Sequence, residues 1–309
     1  MRKNMKNCLV IKMAKIRRIM IIIILLLGIG ILLYPDVMNW QASRTHIGII
    51  QQYNADVALM LEADIAYQLE RARVFNEGIT DISINDPWGE GANDVVGTDE
   101  YYTLLNFNNV MGRIEIPRIR VDLPIFHGST SDVLDRGVGH MPHTSLPVGG
   151  YGNHSILTAH TGMINARLFN DLVELVPGDH FVVTIANYRL AYRVDQTNVV
   201  YPHEIDILQT YADRDLITLV TCTPYGVNSH RLLVRGVRVP YHEVVFDEIE
   251  PIENELNMRQ LAVIGIVGLI AVISIVRGII LKRKRDKLMS SEEYWDQKYE
   301  TEYHKMFGD

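Results

Sequence analysis

Two long apolar runs bracket this chain, and between them the hydrophobic pattern changes period. The first run, Ile19 to Tyr34, is interrupted only by two glycines and follows seven basic residues with no acidic one. It is slightly short for a spanning helix, but flanking arginines can snorkel and Trp40 can sit at the interface. A cleaved signal peptide shares the basic flank and apolar core. No small-x-small site follows in Pro35-Asp36-Val37-Met38-Asn39-Trp40, so the expectation is an uncleaved anchor over 19–34. The second run, Leu261 to Ile280, is broken only by Ser274 and Arg277 and meets Lys282, Arg283, Lys284, Arg285 and Lys287 at once. That reads as a second transmembrane helix, 261–281, with a basic stop and a tail of 282–309.

Between the runs, residues 35–76 place Ile49, Ile50, Tyr53, Val57, Met60, Leu61 and Ile65 at helical spacing, which predicts a stalk of one or two helices. Residues 77–110 change character. Gly78, Gly89, Gly91, Gly97, Pro87 and many aspartates describe an extended loop, and a loop of that length is usually functional or disordered. From Gly112 the period becomes that of strands: Gly112–Pro117, Val121–Phe126, Ser155–Thr158, Phe181–Ile185, Leu190–Val194, Leu216–Thr221 and Leu232–Val239. About seven short strands with turn punctuation, within 111–250, predict a mostly β fold, a closed or nearly closed barrel. Leu168–Val176 is a candidate short helix.

Charge assigns the two faces of the membrane. The basic residues crowd against the apolar runs, so both termini are expected in the cytoplasm and the middle outside. Residues 35–260 carry thirty acidic side chains against fifteen basic ones, every one an arginine. That balance argues against nucleic acid as a partner. The missing lysines reflect either lineage composition or an enzyme that handles amine nucleophiles and does not offer its own.

The two cysteines fall on opposite sides, Cys8 within and Cys222 without, and cannot pair. Cys222 ends the β-branched run Thr218-Leu219-Val220-Thr221-Cys222, so it is either buried ballast or a nucleophile. A thiol nucleophile needs a base or cation to lower its pKa and a donor where oxyanion charge develops. Arg231 opens the next strand nine positions on, a hairpin length that returns it to the same sheet end, and arginine stays charged with donors in a fixed plane. Arg235 shares its parity but lies roughly 13 Å further along. A surface ion pair is the plain alternative for Arg231. Eleven histidines compete for the base. His160 ends a strand before a glycine turn and can project from a barrel rim; His140 and His143 are read as loop residues, and His230 as facing away from Arg231. Spacing leaves His160 balanced against the rest. No calcium-loop or other metal spacing occurs, and no cofactor is expected.

Together these residues resemble a known family. Thr-Leu-Val-Thr-Cys222 resembles the TLxTC signature of sortases, and Cys222-Thr-Pro-Tyr-Gly-Val-Asn-Ser-His-Arg231 looks like the pilin-polymerising class C. Ile-Glu-Ile-Pro, Val-Asp-Leu-Pro-Ile, Gly137-Val-Gly-His140 and Thr-Ser-Leu-Pro-Val-Gly-Gly between Gly112 and Gly150 are similar to the same class, and the likeness extends over roughly residues 36–285. It implies a sortase-like closed β-barrel of about eight strands with short helices, a helical N-terminal segment and a lid loop, flanked by two transmembrane helices. By position it assigns His160, Cys222 and Arg231 as catalytic. It makes Asp86-Pro87-Trp88, otherwise a plain turn, a lid whose carboxylate engages the arginine and whose ring covers the cysteine. The implied activity is a transpeptidase that cleaves an LPxTG-like sorting signal through a thioacyl intermediate and passes it to a pilin lysine. A housekeeping sortase serving a cell-wall precursor is a variant that the second helix and the lid disfavour. A non-catalytic assembly platform is the rival class. The acidic, aromatic tail 290–309 is either a docking segment or solvated.

Overall fold

A computed structural model describes residues 2–79, 86–89, 96–163, 165–241 and 258–307. The chain divides into two units, one of residues 1–33 with 254–309 and the other of residues 34–253. In the first unit, helix runs through the N-terminal apolar stretch. Ile19–Ala58 reaches a mean hydropathy of 2.5 and is, among the described residues, long and apolar enough to cross a membrane. The span expected at 261–281 falls inside a helix, Met258–Phe307.

The second unit begins within α1 (Arg2–Ala58), breaks at Leu59–Leu61 and continues as α2 (Glu62–Glu77), so the stalk is two helices. Tyr53, Val57, Ile65, Leu69 and Ala72 recur on one face because 3.6 residues make a turn, and all join the buried core. Two polar contacts lock these helices to the barrel. The Tyr53 hydroxyl accepts the Ala186 N–H at 2.6 Å. The Asn76 amide both accepts from Leu146 N (2.7 Å) and donates to Leu146 O (3.0 Å), completing an otherwise open backbone edge. The short helix α3 (Asp99–Thr103), N-capped by Thr98, leads into Leu104, Leu105 and Phe107, which are buried in the same core.

Eight strands follow: β1 (Gly112–Ile116), β2 (Val121–His127), then helix α4 (Ser131–Leu134), β3 (Val138–His140), β4 (His154–Thr158), β5 (His180–Ile185), β6 (Tyr188–Val200), β7 (Leu216–Thr223) and β8 (His230–Val239). They close into a barrel in the order β1-β2-β3-β4-β7-β8-β6-β5, with β5 returning to β1. Closure pairs each strand, over at least part of its length, on both sides and so removes most of the open edge that another chain could pair with. The helical expectation for 168–176 reduces to one 3-10 turn, Leu172–Glu174, whose Leu172 is buried. His140, read as a loop residue, instead lies on β3 and is fully buried; a three-residue strand containing glycine is too short to show alternation.

Two pairings are parallel, β2 with β3 and β4 with β7. The second decides where the chemistry sits. Parallel strands end at the same rim, and β4 aligns Thr158 with Val220 of β7. Each strand also alternates its faces. Ile217 and Leu219 of β7 enter the main core, whereas Val220 belongs to a smaller cluster with Met141, Ile156, Val200, Leu208 and Leu233.

Candidate active site

Register brings the three sequence-selected residues to one rim. β7 and β8 pair antiparallel with Cys222 opposite Arg231, as the short hairpin predicted. His160 lies two residues beyond Thr158, and Cys222 two beyond Val220, so the parallel β4–β7 pair carries both off the same end on the same parity. That end is fastened below the site, where Ala159 N donates to Val220 O (3.2 Å) and the Thr221 hydroxyl to Ala159 O (2.7 Å). Arg235, the other candidate arginine, is taken up by a two-point pair with Asp195 at 3.0 and 2.7 Å.

The segment Asp86–Gly89 sits on this rim. The Asp86 carboxylate accepts from Arg231 Nε at 2.6 Å and from Nη2 at 2.7 Å, the two-point geometry in which a guanidinium binds a carboxylate best. Arg231 Nη1 donates to the carbonyls of Asn228 and His230, both at 3.0 Å, which fixes the guanidinium plane. Trp88 contacts His160 and Arg231. Its indole N–H donates to His160 Nδ1 at 3.0 Å, and its ring lies 5.1 Å from the Arg231 guanidinium carbon, within cation–π range. Trp88 also packs on the apolar cluster of Met141, Ile156, Val200, Leu208, Val220 and Leu233, and Pro87 is buried beside it.

Electrostatics follow from this cover. Burial pushes the Cys222 thiol up to about 11; Arg231 pulls it down and Asp86 pushes it further up. Burial lowers the His160 imidazole below its ordinary value, opposed by Asp135. At neutral pH the covered site therefore holds a thiol and a neutral imidazole, with Arg231 neutralised by Asp86. Because Nδ1 accepts the indole hydrogen, the neutral His160 ring carries its own proton on Nε2. Among the described residues, no group of three or more His, Cys, Asp or Glu is placed to hold a metal ion.

Sequence reasoning singled out the three rim residues and the Asp86–Trp88 segment that the structure brings to them, but missed Asp135, the Asn228 carbonyl and the apolar cluster under Trp88. The carbonyl leaves no trace in residue types. Asp135 is one of many acidic residues in loops. The cluster draws on five separate stretches of chain.

The sortase domain family matches residues 114–239. Sortase A of Bacillus anthracis is 30% identical over 132 residues, 43% of this chain and 61% of that protein. Sortase D of Bacillus subtilis (strain 168) is 28% identical over 131 residues, 41% of this chain and 63% of that protein, so the chain spans about three fifths of these curated relatives. Among solved structures, sortase C-1 of Actinomyces oris is 46% identical, with a TM-score of 0.55, over 58% of this chain and 99% of its own. Sortase C-1 of Streptococcus pneumoniae is 42% identical, with a TM-score of 0.60, over 63% of this chain and 99% of its own. The chain belongs to the sortase family, and these neighbours bear out its resemblance to class C.

Proposed function

We propose that the chain is a membrane-anchored cysteine transpeptidase that polymerises pilins. The observation that carries this is the shared rim: strand register aligns Cys222 with Arg231 and carries His160 to the same level, beneath a lid that pairs with both flanking residues. Once the lid lifts, the Cys222 thiol gives its proton to the neutral His160 ring, leaving a thiolate and an imidazolium. The thiolate attacks the Thr carbonyl of an LPxTG-like sorting signal, and Arg231 stabilises the developing oxyanion or positions the signal. The Thr–Gly C–N bond breaks as His160 gives its proton to the departing glycine amine, leaving a thioester on Cys222. A pilin lysine amine then attacks that thioester. His160 takes the amine proton and the thiolate leaves, so an isopeptide bond replaces the peptide bond. The apolar cluster beneath Trp88 suits the leucine and proline of such a signal. The lysine-free segment 35–260 fits an enzyme that escapes acylating itself.

In this reading α1 anchors the chain, residues 261–281 cross the membrane a second time, both termini are cytoplasmic and the barrel is extracellular. The test is direct. A sorting-signal peptide incubated with the enzyme should leave an acyl adduct on Cys222, visible by mass spectrometry, that disappears when a lysine-bearing pilin fragment is added. A Cys222→Ala variant that still joins the two fragments would end the proposal. Thioester transfer to a cell-wall precursor amine but never to pilin would favour the housekeeping variant. A Cys222 that resists alkylation even in Asp86→Ala and Trp88→Ala would favour the assembly platform.

A further inference from the structure

Asp135 lies outside the three rim residues and the lid, on the turn that ends α4. Its backbone is pinned there by the bond from Asp135 N to Ser131 O at 2.9 Å. Its carboxylate Oδ1 stands 3.7 Å from His160 Nε2. The distance exceeds a hydrogen bond and falls within ion-pair range, so the contact does little for a neutral ring and much more for a charged one. The geometry on the other side of the ring makes this edge the informative one. Trp88 donates to Nδ1, which leaves the ring proton on Nε2, facing the carboxylate.

We infer that Asp135 is a positioning residue for His160. Its carboxylate at the Nε2 edge stabilises the imidazolium formed when Nδ1 takes a proton during turnover. This rests on the proposed acid–base role of His160. The other charges around the site are engaged elsewhere. Arg231 is held by Asp86, Arg167 by Asp171, and Arg136, next to Asp135 in the chain, stacks on the Phe126 ring at 4.6 Å. The Cys222 thiol is neutral at rest, so Asp135 is the carboxylate whose charge acts on His160, opposing the effect of burial.

A consequence for rate follows. While the thiol titrates above the imidazole, the fraction of enzyme carrying both thiolate and imidazolium depends on the gap between the two pKa values and not on pH within that gap. Removing Asp135 widens the gap and lowers that fraction by the same factor. Asp135 is 60% exposed on its side chain, so solvent screening keeps the effect on that fraction small, about threefold.

The test uses the full chain in detergent, with kcat/KM for a sorting-signal peptide measured across the pH range. Asp135→Asn should lower the plateau about threefold and move the acid limb down, with KM unchanged. Asp135→Lys should move the limb further, Asp135→Glu should restore it, and high salt should shrink all of these differences. An Asp135→Asn profile lower than the parent but with an unmoved acid limb would overturn the inference, since a merely structural role gives that result. His160→Ala and Cys222→Ala run alongside. If either stays active, the proposed chemistry has failed; if both are dead and the Asp135→Asn limb is unmoved, only the role of Asp135 has failed.

Discussion

The Cys222 thiol is 6% exposed, and its ionisation is pushed up to about 11 by burial, with Asp86 adding to the push and Arg231 opposing it. Since the thiolate is the reacting species, alkylation of the resting enzyme should rise about tenfold per pH unit from pH 7 to pH 10. Asp86→Asn removes a charge that raises the thiol pKa and frees Arg231, which lowers it. The alkylation midpoint should therefore fall, and at neutral pH the reaction should run about tenfold faster. An unmoved midpoint would show that Asp86 does not restrain the thiol. These residues differ in how far the sequence exposed them. Cys222 and Arg231 were legible because a nine-residue separation and strand parity place them together locally. Spacing put His160 only level with the ten other histidines taken together, because its partner strand lies some sixty residues away through a parallel pairing. The family resemblance tipped the choice.

Among the elements, β8 carries two separate demands. Its first residues hold Arg231, whose guanidinium is gripped by Asp86 and by the Asn228 and His230 carbonyls. Arg231→Lys keeps the charge and loses the planar fork that grips Asp86, so on the proposed function it loosens the lid and misplaces the oxyanion donor together. Alkylation of Cys222 should rise severalfold while peptide transfer falls at least about tenfold. Both rates falling together would mean that Arg231 does not hold the lid. Further along, Gly236 passes under the core. A Cβ there would meet the Phe181 ring at 2.5 Å and Tyr192 Cβ at 3.0 Å. Those rings are stacked at 5.5 Å and fully buried, so neither can yield cheaply. Gly236→Ala should cost about 1–3 kcal/mol in denaturant unfolding, with unchanged alkylation kinetics in the surviving fold. The strand pattern anticipated seven of the eight strands and missed β3. Three residues that borrow their edges from β2 and β4 carry no periodicity of their own.

For the whole molecule, the apolar N-terminal helix and the acidic excess of residues 35–260 were open to a sequence reading, and the polar interior was not. Lysines and arginines beside apolar runs are local signals, whereas burying a histidine is decided by distant strands. His140 and His154 are both buried. His140 lies between the Tyr101 hydroxyl (2.9 Å from Nδ1) and Ser145 O (2.9 Å from Nε2). His154 lies between Gln209 O (2.7 Å from Nδ1) and the Thr218 hydroxyl (2.8 Å from Nε2). In each ring one nitrogen faces a carbonyl, which can only accept, and the other a hydroxyl, an arrangement that the neutral ring satisfies. Burial accordingly lowers their pKa values to about 3 and about 4. Both values lie below that of an unfolded histidine, so the unfolded chain binds more protons as acid is added. The stability these rings contribute is intact above about pH 6.5 and is lost progressively as pH falls toward their folded values. With two such groups, unfolding free energy should drop by roughly 2–3 kcal/mol per pH unit between pH 6 and pH 4.5. Urea titrations followed by tryptophan fluorescence measure this slope. His154→Gln will cost stability at pH 7 through its lost hydrogen bonds, but it also deletes one titrating site. Its slope should therefore be shallower by about one proton, roughly 1.4 kcal/mol per pH unit, whatever the cost at pH 7. A slope equal to that of the parent chain would place the acid sensitivity elsewhere in the fold.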